Sequence, residues 1–188
     1  MPMDSFDVNW LLNSIQSGIQ PKYVFFWGHT GTSAGAVGKE CFSQWYPASF
    51  SVDSQVFPTA EHFMMARKAQ LFDDQEMYER VLVARTPGEA KHLGREVRGF
   101  EERRWSEACF DIVVQGNRAK FEQNATLRDF LLGTRNRVLV EASPVDRIWG
   151  IGLSGDDPRA TCPELWEGPN LLGFALMEVR RMLGETTP

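Results

Sequence analysis

No stretch of this sequence is apolar and long enough to span a bilayer. Met1 to Gln20 lack the apolar core of a signal peptide, and no lipidation motif is present. The expectation is an intracellular protein, cytoplasmic (or nuclear in a eukaryote), with no membrane partner. Cysteine is scarce. Cys41, Cys109 and Cys162 are odd in number and widely spaced, which fits reduced thiols and excludes a disulfide framework or a zinc pattern. His29, His62 and His92 have no metal-ligand spacing either, so no metal is expected. Excess positive charge is also missing. A net charge of −5 gives no general attraction to nucleic acid or anionic membrane, although it leaves room for a local basic groove. Repeats and low-complexity tracts are absent.

What remains is ordinary for a soluble globular chain: 43% hydrophobic and 24% charged residues, with 188 residues to build a substantial core. Asp4 to Ser17 reads as a short amphipathic helix, an N-terminal extension over residues 1–20. Tyr23 to Trp27 is a buried strand candidate, and Phe50 to Phe57 a hairpin turning at Asp53-Ser54. Helices are predicted over Thr59–Leu71, Asp74–Ala84, Pro87–Arg95, Glu102–Gln123, Ala125–Gly133 and Asn170–Leu183. Arg137 to Glu141 is a strand. Asn124-Ala125-Thr126, formally a glycosylation sequon, is read as a helix cap. Gly28–Glu40 is read as a small-residue loop with no core residue besides Val37, and Gly152–Pro169 as a long segment without structure of its own, a length that usually marks function or disorder. The expected fold is α+β, a mainly helical single domain over residues 21–188 packed around a small β-sheet.

One loop imitates a phosphate-binding site. In Gly31 to Glu40 the Walker spacing would need glycine at 33 and a hydroxyl at 40. The chain has Ser33 and Glu40, and a carboxylate there would repel phosphate.

The segment from Pro58 to Ala69 carries more chemistry. Thr59 is a plausible N-cap, and Glu61 and His62 fall in the first turn. At about 100° per residue, Glu61, Met64 or Met65, and Lys68 share one helix face. Burial among apolar neighbours converts such a carboxylate into a general acid/base and such an amine into a nucleophile. A solvated Glu and Lys beside a core stripe is the plainer reading of the same spacing. His62 points about 100° away and reads as a hydrogen-bonded core or supporting histidine.

Asp146 to Leu153 form a second segment, with Trp149 between an aspartate and two glycines, Gly150 and Gly152. It offers a flat stacking face beside flexible backbone. A core Trp in a turn is the alternative. Trp166 to Gly173 follow, and then a closing helix.

Taken in order, these blocks resemble the NADAR family, over about Tyr23 to Leu183. The resemblance includes Phe42-Ser43-Gln44-Trp45-Tyr46-Pro47, Pro58 to His62, Ala90-Lys91-His92-Leu93-Gly94-Arg95, Lys120 to Asn124, Leu139 to Ser143 and Asp146 to Gly152. It implies hydrolysis of an N-glycosidic bond between ribose C1 and an amine outside an aromatic ring. The substrates it implies are the ribosylamino-pyrimidine phosphates of the riboflavin pathway. The alternative is guanine carrying ADP-ribose in DNA or RNA, an ADP-ribosylation reversal. The partner is thus a nucleotide-like small molecule or ADP-ribosylated nucleic acid, and no cofactor is expected.

On the same resemblance Glu61, Lys68 and Asp146 are the catalytic candidates. Glu61 moves the proton and Lys68 attacks C1 to form a Schiff base. Trp149 and Trp45 are candidate substrate contacts. Asn170 and the main chain at Gly150 and Gly152 bond sugar hydroxyls, and Arg95 or Arg98 pairs with phosphate. Exposed helix-end charges are the plainer reading of the two arginines. The chain departs from the family pattern at Met64, which widens one wall, and at Ile151, where some relatives carry an acid. A non-catalytic ADP-ribose or nucleotide-binding module is the reading from a different class; it would not need the Glu61–Lys68 face.

Overall fold

Four helices begin at a side-chain cap of the kind their sequence announces. In this computed structural model, which describes residues 6–30 and 36–185, Asp7, Thr59, Asp74 and Thr86 each accept a main-chain N–H. They head α1 (Val8–Gln16), α2 (Ala60–Leu71), α3 (Gln75–Leu82) and α4 (Pro87–Arg95). α5 (Glu102–Gln123), α6 (Ala125–Gly133) and α7 (Leu171–Glu185) complete the helices. The strands are β1 (Tyr23–Phe26), β2 (Phe50–Val52), β3 (Gln55–Phe57) and β4 (Val138–Glu141). The chain is α+β and mainly helical, and its strands form two separate two-stranded ladders. Asp4, Ser5 and residues 31–35 of the phosphate-loop look-alike lie outside the described residues. Among the described residues no helix is long and apolar enough to cross a membrane.

The chain forms two compact units. The first comprises residues 1–43 and 126–188. Its centre is the parallel pair β1–β4, in register Tyr23↔Val138 through Phe26↔Glu141. β4 is fully buried from Val138 to Val140, which suits a strand covered on both faces. α7 packs on β4 and buries Leu172, the stretch Phe174 to Met177, Val179 and Leu183. The rings of Phe26, Phe42 and Phe130 meet at centroid distances of 5.4 Å for each successive pair. α1 packs on a 3-10 turn at Pro163–Leu165.

The second unit comprises residues 44–125. Asp53 and Ser54 both adopt left-handed backbone (φ 51° and 65°), as a tight two-residue turn between β2 and β3 requires. α2 is its axis and contacts α3, α4 and α5. Every residue from Ala60 to Ala66 is buried, so this helix has no wet face in its first two turns. Gly94 and Gly116 let α4 and α5 approach it, because a Cβ at these positions would strike Met65 and Phe63 respectively. Asn124 caps backwards: its amide donates to Lys120 O at the end of α5, at 2.8 Å.

The long segment from Gly152 to Pro169 is ordered by its own bonds, contrary to the structureless loop expected from its Gly, Pro and Asp content. It contains 3-10 turns at Pro158–Thr161 and Pro163–Leu165. Arg159 pairs with Asp157 (2.8 Å) and Glu167 (2.9 Å), and the Trp166 indole N–H donates to Ala160 O at 2.9 Å.

Candidate active site

The predicted site residues divide between the two units. Glu61, Lys68, Trp45, Arg95 and Arg98 belong to the second; Asp146, Trp149, Gly150, Gly152 and Asn170 belong to the first.

Glu61 is 3% exposed in the first turn of α2, where its main-chain N–H donates to Gln44 O at 3.0 Å. Gln44 is itself buried and accepts the Asn117 amide at 2.7 Å from α5. Neither Gln44 nor Asn117 was assigned a role from sequence, since a polar pair 73 residues apart shows no local pattern. His62 is buried beside Glu61. Its Nε2 lies 3.2 Å from Ala84 O and its Nδ1 2.7 Å from Thr59 Oγ1. The carbonyl can only accept, so Nε2 carries the proton and Nδ1 accepts from the threonine hydroxyl. Burial pushes the His62 pKa below the usual histidine value, which keeps the ring neutral. It is a supporting histidine, as its position on the helix predicted.

Lys68 lies two turns beyond Glu61. Its side chain is half-buried, and Nζ donates to Gly94 O at 2.8 Å. The ammonium sits 4.3 Å from the Phe100 ring centroid and 5.4 Å from that of Trp105. Burial lowers its pKa, and the nearby charge of Arg95 lowers it further. This is the direction a nucleophilic amine requires. The same bond satisfies a carbonyl in the last turn of α4, a structural task that spacing did not foretell. A second amine, Lys120, is wholly buried on α5, 5.6 Å from the Tyr46 ring and 5.2 Å from that of Phe121.

The two arginines part company. Arg98 is engaged by buried Asp74, with Nη2 2.6 Å from Oδ1 and its main-chain N–H 2.8 Å from Oδ2, and it also meets Glu76 at 3.0 Å. Its side-chain and main-chain donors hold the Asp74 carboxyl well below the usual range. Arg98 is thus a clamp at the head of α3, its guanidinium already engaged by two carboxylates. Arg95 and Arg104 have no carboxylate partner among the described residues. Trp45 is half-buried, with Lys91 Nζ 6.0 Å from its ring and Gly88 beneath it.

In the first unit, hydrogen bonds gather all five predicted residues. Asp146 Oδ1 accepts the Ile148 and Trp149 N–H groups at 2.9 and 2.7 Å. Asp146 O accepts Gly152 N–H at 3.1 Å, and Trp149 O accepts Leu172 N–H at 3.0 Å. Gly150 O accepts Asn170 N–H at 3.2 Å. The backbone here is therefore braced, not flexible. A Cβ on Gly150 would lie 2.7 Å from Glu141 O, and Gly152 has φ +70°. The Gly152 N–H expected to meet a sugar hydroxyl is taken up inside the loop.

Asn170 is likewise engaged within the fold. It is wholly buried in left-handed backbone, φ 56°. Its Oδ1 accepts Glu141 N–H and its Nδ2 donates to Leu139 O, both at 2.9 Å. Both amide atoms extend the β4 ladder, so the side chain fastens α7 to the strand and is not offered to a sugar. Trp149 itself is half-buried. Among the described residues, no group of three or more His, Cys, Asp or Glu side chains is arranged to hold a metal ion.

Residues 25–184 match the sequence model of the NADAR domain. The chain is 43% identical over 164 residues to N-glycosidase R617 of Acanthamoeba polyphaga mimivirus, covering 85% of this chain and 95% of that protein. It is 33% identical to N-glycosidase YbiA of Escherichia coli, covering 76% and 80%. The solved structure of YbiA matches with a TM-score of 0.70 at 29% identity, over 89% of this chain and 88% of that one. A riboflavin biosynthesis protein of Vibrio vulnificus is 34% identical over 146 residues, 78% of this chain and 36% of that protein.

Proposed function

The chain belongs to the NADAR domain family, and on that premise we propose that it is an N-glycosidase cleaving ribose C1 from an exocyclic amine of a nucleobase-like ring. The substrate class is the ribosylamino-pyrimidine phosphates, a reading supported by the relative named for riboflavin biosynthesis. The observation that carries the catalytic reading is one helix, α2, bearing a buried carboxylate and an amine whose charge is disfavoured by burial.

The chemistry follows from those two groups. A ribosylamine opens to an imine at C1. The neutral Lys68 amine adds to C1, and Glu61 delivers a proton to the departing ring amine as the C1–N bond breaks. The Lys68 Schiff base left behind takes up water, releasing the sugar phosphate and the free amine. In the second unit Arg95 supplies a cation for a phosphate; in the first unit, taken by itself, Trp149 is the candidate stacking face for an aromatic ring. No cofactor enters this sequence of steps.

Removal of ADP-ribose from guanine uses the same bond type. Arg95 and Arg104, cations without a carboxylate partner among the described residues, favour it as the second reading. Purified protein is incubated in parallel with a ribosylamino-pyrimidine phosphate and with an oligonucleotide carrying ADP-ribosylated guanine, and the released base is measured by chromatography. Release from the first substrate, insensitive to salt, is expected. Release from the oligonucleotide alone, falling steeply with salt, would transfer the assignment to the second reading. Release from neither would leave a binding module.

A further inference from the structure

Asp146 was grouped with the catalytic candidates, but its bonds point elsewhere. Both hydrogen bonds fall on one oxygen, Oδ1, and both come from main-chain N–H groups, those of Ile148 and Trp149. The Trp149 peptide is thereby held on both sides: its N–H by Asp146 and its C=O by Leu172 N–H at the head of α7. The Asp146 carbonyl closes the same loop by accepting Gly152 N–H. Its sequence neighbours Val145 and Ile148 are left in solvent, 83% and 62% exposed. The Asp146 carboxylate under the amide, with Leu172 N–H on the carbonyl, fixes the peptide that carries the indole.

We infer that Asp146 is a positioning residue that acts through Trp149, and that its carboxylate exchanges no proton with the substrate. This rests on the reading of Trp149 as the substrate's stacking face. One consequence is specific. Asparagine keeps the Oδ1 acceptor and replaces only Oδ2, the oxygen that would be needed for proton transfer. Asp146→Asn should therefore preserve function, whereas Asp146→Ala should not.

The test compares Asp146→Asn, Asp146→Ala, Trp149→Ala and the Asp146→Ala/Trp149→Ala double variant on the ribosylamino-pyrimidine phosphate. Asp146→Asn should keep kcat and KM within about threefold of the parent, since a neutral acceptor replaces a charged one. Asp146→Ala should raise KM about tenfold or more with a smaller change in kcat. The double variant should be no worse than Trp149→Ala, because both changes remove one function. A loss of kcat of about 10²-fold or more in Asp146→Asn would overturn the inference and return Asp146 to proton transfer. If Asp146→Ala does not fold, Asp146→Asn alone decides. If the parent enzyme shows no turnover, the proposed reaction has failed, and the positioning claim is still read from amide hydrogen exchange. The Trp149 amide should exchange faster in Asp146→Ala and not in Asp146→Asn; equal protection in all three proteins would refute it.

Discussion

The Lys68 ammonium donates to the Gly94 carbonyl at 2.8 Å, so one amine both closes the end of α4 and stands on α2, the helix that bears the proposed acid, Glu61. Lys68→Arg separates these tasks. Arginine keeps a permanent charge and can cap the carbonyl, but it forms no Schiff base. Stability should change by about 1 kcal/mol or less, the size of a single exposed or half-exposed hydrogen bond, while turnover is lost. Borohydride added during turnover should trap a sugar adduct on Lys68. Undiminished turnover by Lys68→Arg, or an adduct found on Lys120 instead, would remove Lys68 as the nucleophile.

The pH dependence of that amine has a definite sign. Burial and Arg95 lower the Lys68 pKa from its ordinary value. The reactive neutral amine therefore accumulates as pH rises, starting below the usual lysine value of about 10.4. The rate of adduct trapping should climb with pH through that lowered pKa. A trapping rate independent of pH through the alkaline range would contradict it.

His62 makes a stability prediction of the opposite kind. Its folded pKa lies below the unfolded one because the ring is buried. As pH falls below about 6.5, the unfolded chain takes up the proton first, so stability is full above that value and declines on acidification. Urea midpoints at pH 7.5 and 5.5 should differ more for the parent than for His62→Gln. An equal shift in both proteins would show that His62 does not titrate as its burial implies.

Asn170→Ala should destabilise the fold by about 2 to 6 kcal/mol. It strands two main-chain groups of β4, Glu141 N–H and Leu139 O, at roughly 1 to 3 kcal/mol each. Thermal melting with and without substrate separates this from a binding role. A normal melting temperature with a raised KM would restore Asn170 as a sugar ligand.

Local chemistry was legible and distant pairing was not. Thr59 announces α2 because a hydroxyl at an N-cap satisfies an N–H within three residues, and the Asp53-Ser54 turn is equally self-contained. The span of α5 was read from its sequence without error at either end. The Arg98 clamp was hidden because its partner, Asp74, lies 24 residues away, and the pairing exists only once α3 and α4 have packed. The Asn170 bonds to β4 were hidden for the same reason, with partners 29 and 31 residues back. The Gly152–Pro169 stretch was misjudged because proline and aspartate build 3-10 turns through short-range bonds that apolar periodicity does not register. The apposition of α2 and α4 depends on Gly94 sitting under Met65, which no spacing rule supplies.

Glu61 is the residue on which the proposed reaction turns. It is buried at the start of α2, and the proposed reaction needs it to carry the proton to the leaving amine. Glu61→Gln preserves size and hydrogen-bonding shape while abolishing proton transfer. The measurement is single-turnover release of the ring amine from a ribosylamino-pyrimidine phosphate, with substrate binding followed in parallel. The predicted result is intact folding and binding with the release rate reduced by about 10²- to 10⁴-fold. Release at the parent rate in Glu61→Gln would contradict the central claim.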